Sequence, residues 1–315
     1  DFLLASHLQM TEPQSSQIAQ LPVMGEAAHQ VYPTATLYVV ATPIGNVTDI
    51  TLRALHLLTL VDAVACEDTR NTGNLLSRFG LSRPMIAAHQ HNEREVADKL
   101  IARLQAGQRI ALVSDAGTPG VSDPGARIVN AVRAAGLRVV PLPGPSAAIT
   151  ALSASGLVND QFHFVGFLPA KARQRESALA ELLAVRATLV FYEAPHRIKE
   201  TLLEAESILG DRQASLAREI TKLYEQFLRG RLSEISAELQ TQEPRGEMTL
   251  AIAGAPAEEL QPLPLTESLA LQLERLMNAG ISRNDALKQI AKMRGLSKKE
   301  AYRLLLEEKD NAENL

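Results

Sequence analysis

The sequence predicts an α/β fold with two α/β domains, each built on a mostly parallel or mixed sheet, followed by a small C-terminal helical module. From residue 37, short β-rich runs alternate with longer amphipathic segments, which is the pattern of a sheet covered by helices. The alternation is interrupted at Pro141–Pro145, where prolines flank a Pro-Gly turn, and then resumes. Beyond residue 264 only helical periodicity remains.

Composition limits the classes of function. The 315 residues are 46% hydrophobic, enough for a buried core in about two domains. The single cysteine, Cys66, excludes a disulfide framework or a cysteine-rich zinc site and is typical of a reducing compartment. No apolar run approaches the roughly 18 residues of a membrane helix, so we expect a cytoplasmic protein. No metal-ligand spacing is recognisable, and we expect no metal.

Residues 1–35 are expected to form a disordered leader, because they are polar and lack sustained periodicity. The N-terminal α/β domain is assigned to residues 36–145, with helices over Thr51–Leu60 and Glu93–Ala106. Its predicted strands are Leu37–Thr42, Ala63–Glu67, Met85–Ala88, Ile110–Ser114 and Arg138–Leu142.

The C-terminal α/β domain is assigned to residues 146–256. Its predicted strands are Phe162–Phe167, Thr188–Glu193, Ala214–Arg218 and Met248–Gly254. A proline-bearing linker over 254–264 leads to a basic helical tail over 265–310. Ser282 and Ser297 are expected N-caps in this tail, and Ser297 forms a capping box with Glu300. The segment from Ile281 to Arg303 contains seven Lys or Arg and only two acidic residues.

Chemistry in such folds collects where parallel strands end, so the loops there are the candidate site. Ala41–Asn46 holds a Pro-x-Gly turn, which by itself is equally an ordinary βα turn. Ser114–Gly125 holds three Gly, two Pro and two Asp in 12 residues, a backbone-rich surface that a ligand can approach closely. Because it lacks Lys and Arg, it suits a neutral adenosine better than a triphosphate, although a lid of another kind has similar composition.

Two further loops follow the boundary. Pro143–Ala148 opens a helix with Ser146 beside small residues, and it is either a cleft wall or a plain helix cap. Phe191–Arg197 ends a strand with an aromatic face, a carboxylate and a base, and we expect it to face a ligand cleft.

Eight motifs in order resemble the tetrapyrrole methylase superfamily, and more narrowly its branch that methylates small-subunit ribosomal RNA. The resemblance covers about residues 36–310. The motifs are Thr42–Asn46 (TPIGN), Glu67–Arg70 (EDTR), His89–Glu93 (HQHNE), Ser114–Pro119 (SDAGTP), Pro143–Ser146 (PGPS), Gly166–Lys171 (GFLPAK), Arg218–Lys222 (REITK) and Gly246–Glu247.

This resemblance implies a homodimer in which each subunit binds S-adenosylmethionine (SAM) in a cleft between two α/β domains. It implies methylation of the ribose 2′-hydroxyl of a cytidine in 16S rRNA, in the context of the small ribosomal subunit. The cofactor-binding residues it implies are Pro43, Asp115, Gly117, Thr118, Pro119, Ser146, Ala147, Tyr192 and Gly246.

A ribose hydroxyl is a poor nucleophile, so a base or an oriented acceptor should assist. The candidates that follow strand ends are Glu67, His91, Glu219 and Lys222, and each is equally an ion pair or a cap. RNA phosphates require local cations, because the net charge is −4. The candidate RNA-binding residues are Lys171, Arg173 and Arg175, and in the tail Lys288, Lys292, Arg294, Lys298, Lys299 and Arg303.

The role of the tail and the function both have alternatives. The tail is an RNA clamp, a dimer element or a solvated surface. A small-molecule (tetrapyrrole) methylase would use the same cofactor pocket. A non-catalytic RNA-binding protein would keep the basic patches without needing that pocket.

Overall fold

The computed structural model describes residues 28–158, 160–240, 243–256, 268–278, 281–294 and 296–313. Most of the leader expected over 1–35, and most of the linker expected over 254–264, lie outside these residues. The described residues up to Leu183, together with Ala187–Ala253, form one compact unit, and Ala184–Arg186 with the described residues from Gly254 onward form a second. Both sheets belong to the first unit, which we call the α/β unit.

The first sheet has five parallel strands in the order β3-β2-β4-β1-β5. The strands are β1 (Thr36–Val40), β2 (Ala63–Cys66), β3 (Met85–Ala87), β4 (Arg109–Val113) and β5 (Arg138–Leu142). The helices are α1 (Leu52–Leu60), α2 (Thr69–Arg78), α3 (Glu93–Gln105) and α4 (Ala126–Ala134).

Both faces of this sheet are buried, as expected for parallel strands. Tyr38 and Val40 of β1 pack in a core with α1 and Leu76 of α2. The alternate residue Leu37 points to the opposite face and packs in a core with α3 and α4. The neighbouring strands β1 and β4 are therefore followed by helices on opposite faces, which opens a crevice at their carboxyl ends.

The second sheet has the order β6-β7-β10-β8-β9, in which β6 pairs parallel with β7 and the other pairs are antiparallel. Its strands are β6 (Phe162–Phe167), β7 (Thr188–Glu193), β8 (Gln213–Arg218), β9 (Gln226–Arg231) and β10 (Met248–Ile252). The helices of this half are α5 (Ala147–Ser155), α6 (Ala172–Glu181), α7 (Ile198–Leu209) and α8 (Leu232–Gln240). The predicted α/β fold class is confirmed, and β9 is a strand that the sequence pattern did not predict.

The second unit contains three helices within its described residues, α9 (Leu269–Asn278), α10 (Arg283–Met293) and α11 (Lys298–Glu313). They share a small apolar core that includes Leu273, Ile290 and Leu305. The predicted caps are present, since the Glu300 N–H donates to Ser297 Oγ at 3.2 Å and the Ser297 N–H donates to Glu300 Oε2 at 2.8 Å. Within the described residues, no helix is long and apolar enough to cross a membrane.

Candidate active site

A cavity of about 310 Å³ lies in the α/β unit, where loops that follow the strands of both sheets meet. We call it the main cavity. Its walls come from the loops after β1, β4 and β8, the start of α5, the ends of β6 and β7, and the start of β10. The residues that line it are Ile44, Ala116, Gly117, Thr118, Val121, Ser122, Asp123, Ser146, Ala147, Phe167, Tyr192, Glu193, Ala194, Pro195, Ile220, Glu247, Met248 and Thr249.

The loop after β4 is held open by backbone pairing with the loop after β1. The Thr42 N–H donates to the Gly117 carbonyl at 2.8 Å, and the Gly117 N–H donates to the Thr42 carbonyl at 3.0 Å. Gly117 has φ +77°, a conformation that side chains disfavour, and Ser114 Oγ donates to its carbonyl at 3.2 Å. The Pro-x-Gly turn and the glycine-rich loop therefore form one wall of the cavity.

Ser146, Ala147 and Tyr192 line the same cavity as the glycine-rich loop. The Tyr192 hydroxyl oxygen accepts the Ala148 N–H at 3.2 Å, and its ring stacks edge-on against Phe164 with centroids 5.0 Å apart. Burial raises the pKa of Tyr192, so its phenol is neutral at physiological pH. The two loops that the sequence indicated beyond residue 143 thus converge on the same space as Gly117 and Thr118.

Pro43 and Asp115 line a second cavity of about 250 Å³, which shares Ile44, Ala116 and Glu247 with the main cavity. We call it the adjoining cavity. The Asp115 carboxylate accepts the Asp68 N–H at 3.1 Å and the Asn71 side-chain amide at 2.8 Å. The structure therefore divides the expected cofactor-binding residues between two neighbouring cavities.

Pro119 and Gly246 line neither cavity. Pro119 is buried beside Gly125, and Gly246 precedes Glu247 with φ +78°. A Cβ atom at Gly246 would lie 2.1 Å from Glu219 Oε1. Gly246 is therefore needed for the close approach of the Glu219 side chain.

Glu219 and Lys222 form an ion pair in a tight turn after β8. Lys222 Nζ lies 2.9 Å from Glu219 Oε1 and 3.1 Å from Glu247 Oε2. Burial alone would lower the pKa of Lys222, but its hydrogen bonds to the two carboxylates outweigh burial and raise it. The hydrogen bond from Lys222 lowers the pKa of Glu219. Lys222 is therefore protonated and cannot accept a proton, and the lowered pKa of Glu219 makes its carboxylate a weaker base.

The same turn holds backbone strain. Glu219 and Thr221 have φ values of +53° and +68°, which cost free energy in residues other than glycine. Strain of this kind is concentrated at functional sites. A Cβ atom at Gly45 would lie 2.6 Å from Lys222 Cγ, so the turn also packs closely on the loop after β1.

Glu67 and His91 are placed differently from each other. Glu67 is half-buried after β2, and burial, with the nearby Asp115 carboxylate, raises its pKa, while His89 acts in the opposite direction. His91 is exposed and lies beside His89 with ring centroids 6.1 Å apart. Neither Glu67 nor His91 lines the main or the adjoining cavity.

Asp123 lines the main cavity and was not among the candidate site residues, although it lies in the loop that the sequence singled out. Burial raises the pKa of its carboxyl to about 6, and the negative charges of Glu67 and Asp115 add to that effect. Asp123 precedes Pro124 and Gly125, and this combination is common in turns that have no other role. The sequence therefore gives no signal that Asp123 lines a cavity.

The candidate RNA-binding residues after β6 differ in their exposure to solvent. Arg175 is only 1% exposed, and its guanidinium bonds Glu204 and lies 3.0 Å from Glu200, so it is committed to an internal ion-pair network. Lys171 and Arg173 are exposed. RNA could therefore reach Lys171 and Arg173 but not the guanidinium of Arg175.

Most of the tail cations also have local partners. Lys288 lies 3.1 Å from Asp285, Arg303 lies 3.6 Å from Glu307, and Lys298 Nζ donates to Asn284 at 2.6 Å. Arg294 Nε donates to Gln272 at 3.1 Å. Lys299 is exposed, and the Lys292 side chain lies outside the described residues. In the part of the chain that the structure describes, no group of three or more His, Cys, Asp or Glu could hold a metal ion.

Comparison with known proteins gives consistent matches. The family model of Tetrapyrrole (Corrin/Porphyrin) Methylases matches residues 36–236. A Synechocystis protein named Ribosomal RNA small subunit methyltransferase I is 47% identical over 272 residues, covering 86% of this chain and 97% of that protein. A protein of the same name from Escherichia coli O157:H7 is 47% identical over 275 residues, covering 86% of this chain and 95% of that protein.

A solved structure also shares the fold. The cobalamin biosynthetic enzyme cobalt precorrin-4 methyltransferase superposes with a TM-score of 0.52 at 17% identity, covering 70% of this chain and 98% of that one.

Proposed function

Because the chain belongs to the tetrapyrrole methylase family, we propose that its main cavity binds SAM and that it methylates small-subunit ribosomal RNA. The acceptor we propose is the ribose 2′-hydroxyl of a cytidine in 16S rRNA, within the small ribosomal subunit. The two relatives named Ribosomal RNA small subunit methyltransferase I are 47% identical to this chain, and the matches cover 97% and 95% of their lengths. We further propose that the enzyme is a cytoplasmic homodimer.

The single observation that carries the proposal is the composition of the main cavity. Its wall offers backbone groups around Gly117, the Ser146 hydroxyl and the Tyr192 ring, which are suited to a neutral, flat nucleoside. Among the described residues no Lys or Arg lines it, so a polyphosphate would lack counter-charges there. Gly117, Thr118, Ser146, Ala147 and Tyr192 are therefore the residues we assign to SAM.

SAM supplies an activated methyl group on a cationic sulfur, so the protein's main task is to align the acceptor oxygen. The adjoining cavity is the proposed place for the acceptor nucleoside, because it shares Ile44, Ala116 and Glu247 with the main cavity. Lys222, held protonated by Glu219 and Glu247, would donate hydrogen bonds there and fix the nucleoside's orientation. Pro43 and Asp115 are thus reassigned to the acceptor side of the site.

RNA phosphates would be bound by Lys171 and Arg173 on the α/β unit and by the exposed cations of the second unit, which holds the three C-terminal helices. Since the whole chain is acidic, this binding depends on local charge and should weaken with salt.

Incubation with SAM labelled in its methyl group tests the acceptor. We expect the label to appear in small ribosomal subunits or their RNA. It should be located on ribose and therefore be retained when the nucleobase is removed. Labelling of a porphyrinogen instead of RNA would contradict the RNA assignment. In the same assay Tyr192→Phe, which keeps the ring but loses the hydroxyl that accepts the Ala148 N–H, should label RNA less because SAM binds more weakly.

A further inference from the structure

Three carboxylates line the main cavity, and two of them have a cation supplied by the protein. Glu193 is 2% exposed, lies 3.3 Å from Arg197 Nε and accepts the Thr201 hydroxyl at 2.7 Å. Glu247 lies 3.1 Å from Lys222 Nζ, and its side chain is 77% exposed, so water screens its charge. These two carboxylates need no charge from a ligand.

Asp123 is the third, and it has no ion-pair partner among the described residues. The charged groups that face it are all carboxylates, namely Glu67 after β2, Asp115 after β4 and Glu247 before β10. Its other neighbours, Ser114 and Tyr192, contribute neutral hydroxyl groups. A half-buried carboxylate among like charges is unfavourable unless a cation completes the site.

We propose that Asp123 recognises the positive charge on the sulfur of SAM, and that it makes the main cavity favour the methyl donor over the neutral product. This inference rests on the proposed function, because it assumes that SAM occupies the main cavity. It assigns to Asp123 a specificity role that the cavity's other carboxylates, already neutralised or solvated, are not placed to perform.

The charge argument follows from the reaction. When the methyl group passes to a hydroxyl oxygen, a C–O bond forms, the C–S bond breaks with its electron pair returning to sulfur, and the hydroxyl proton is released. The product S-adenosylhomocysteine keeps the adenosine, the ammonium and the carboxylate of the donor but has lost the sulfonium charge. If the affinities for SAM and S-adenosylhomocysteine differ in a way that depends on Asp123, that difference therefore reports on the charge of the sulfur.

Calorimetric titration of the full chain with SAM and with S-adenosylhomocysteine tests this at about pH 7.5. In Asp123→Asn we expect SAM to bind roughly tenfold more weakly, while S-adenosylhomocysteine changes by less than about twofold. The matched control is Glu247→Gln, which removes a carboxylate from the same cavity. Its effect on the ratio of the two affinities should be clearly smaller, because that charge is exposed and paired.

The pH dependence gives a second readout. SAM should bind more weakly at about pH 5.5 than at pH 7.5 in the unsubstituted protein, because Asp123 must be ionised, and Asp123→Asn should reduce this dependence. Equal losses for both ligands would mean hydrogen bonding to a shared group and would overturn the proposal, as would unchanged affinities. If the unsubstituted protein bound neither ligand, the proposed function itself would fail, which is a distinct result.

Discussion

Two aspartates in the α/β unit have opposite pKa shifts because their surroundings differ. Asp123 has a pKa raised by burial and by neighbouring carboxylates, whereas Asp68, beside Arg70, has a pKa lowered to about 2 by the hydrogen bonds it accepts from that residue. Both are aspartates in loops after strands. Their difference shows that the site's charge pattern is a property of the folded chain.

Asp123 should also affect stability. Its carboxyl has a pKa of about 6 in the folded protein against an ordinary value of 3.8. Above pH 6 it is charged in both states and penalises folding, and below 3.8 it is neutral in both states and carries no penalty. We expect Asp123→Asn to stabilise the protein by roughly 1–2 kcal/mol at pH 7.5, with the gain vanishing near pH 4.

Thermal unfolding at the two pH values measures this gain. Glu95→Gln is the control, because it removes an exposed carboxylate whose pKa is lowered by Lys99, and it should not raise the Tm. If Asp123→Asn instead lowered the Tm at pH 7.5, the cost of burying the charge of Asp123 would have to be offset by an interaction in the folded state.

Cys66 should be chemically inert in the native protein. It lies fully buried at the end of β2, and burial raises the pKa of its thiol, so both access and thiolate are lacking. A chromogenic disulfide reagent should therefore label it only after denaturant is added. Rapid labelling of the folded protein would mean that the end of β2 opens locally.

At the level of elements, the turn after β8 depends on glycines in other segments. Gly246 and Gly45 make room for the Glu219 and Lys222 side chains, and two residues of the turn have positive φ. The sequence motif around Arg218–Lys222 therefore acts together with the Gly246–Glu247 pair before β10. These motifs are distant in the chain and adjacent in the fold.

Gly246→Ala should disrupt this turn. The added Cβ would meet Glu219, and a positive φ of +78° is strained for alanine, so we expect a fall in Tm. Because Ile220 of the same turn and the adjacent Glu247 line the main cavity, SAM should also bind more weakly. Gly136→Ala is the control, because Gly136 has φ +74° and nothing within 4 Å of an added Cβ. That variant should lose only about 1–2 kcal/mol of stability from backbone strain and should bind SAM normally. Equal effects of the two substitutions would contradict a role for the close approach to Glu219.

The strand β9 shows where pattern alone was insufficient. Its sequence, QFLRGR, carries two arginines and a glycine, and of its six residues only Leu228 is buried. Edge strands need little apolar alternation, because one side of the strand is unpaired and solvent covers much of its surface. Its existence follows from pairing with β8, which is a tertiary property.

On the scale of the whole molecule, RNA binding is expected to depend on a few exposed cations in an acidic chain. Lys299, which is exposed on α11, should contribute to phosphate binding. Lys299→Gln should weaken binding to small ribosomal subunits about two- to threefold at low salt and reduce the salt dependence by about one counterion.

Filter binding across a salt series measures this effect. The control Lys99→Gln removes an exposed cation that already pairs with Glu95 at 2.6 Å, and it should leave RNA affinity unchanged. An unchanged affinity in Lys299→Gln would favour the solvated-surface reading of the tail.

Local periodicity and short motifs were enough to predict the α/β class, nine of the ten strands in the described residues, the helix caps of the tail and the family. The sequence also indicated the loops that line the main cavity. The sequence pattern could not show which side chains share a cavity, that Arg175 is buried, that Lys222 pairs with Glu219, or that Asp123 has no cationic partner among the described residues. The physical reason is that periodicity reports on the burial of one element at a time, whereas the charge and accessibility of a side chain depend on residues brought near it by the fold.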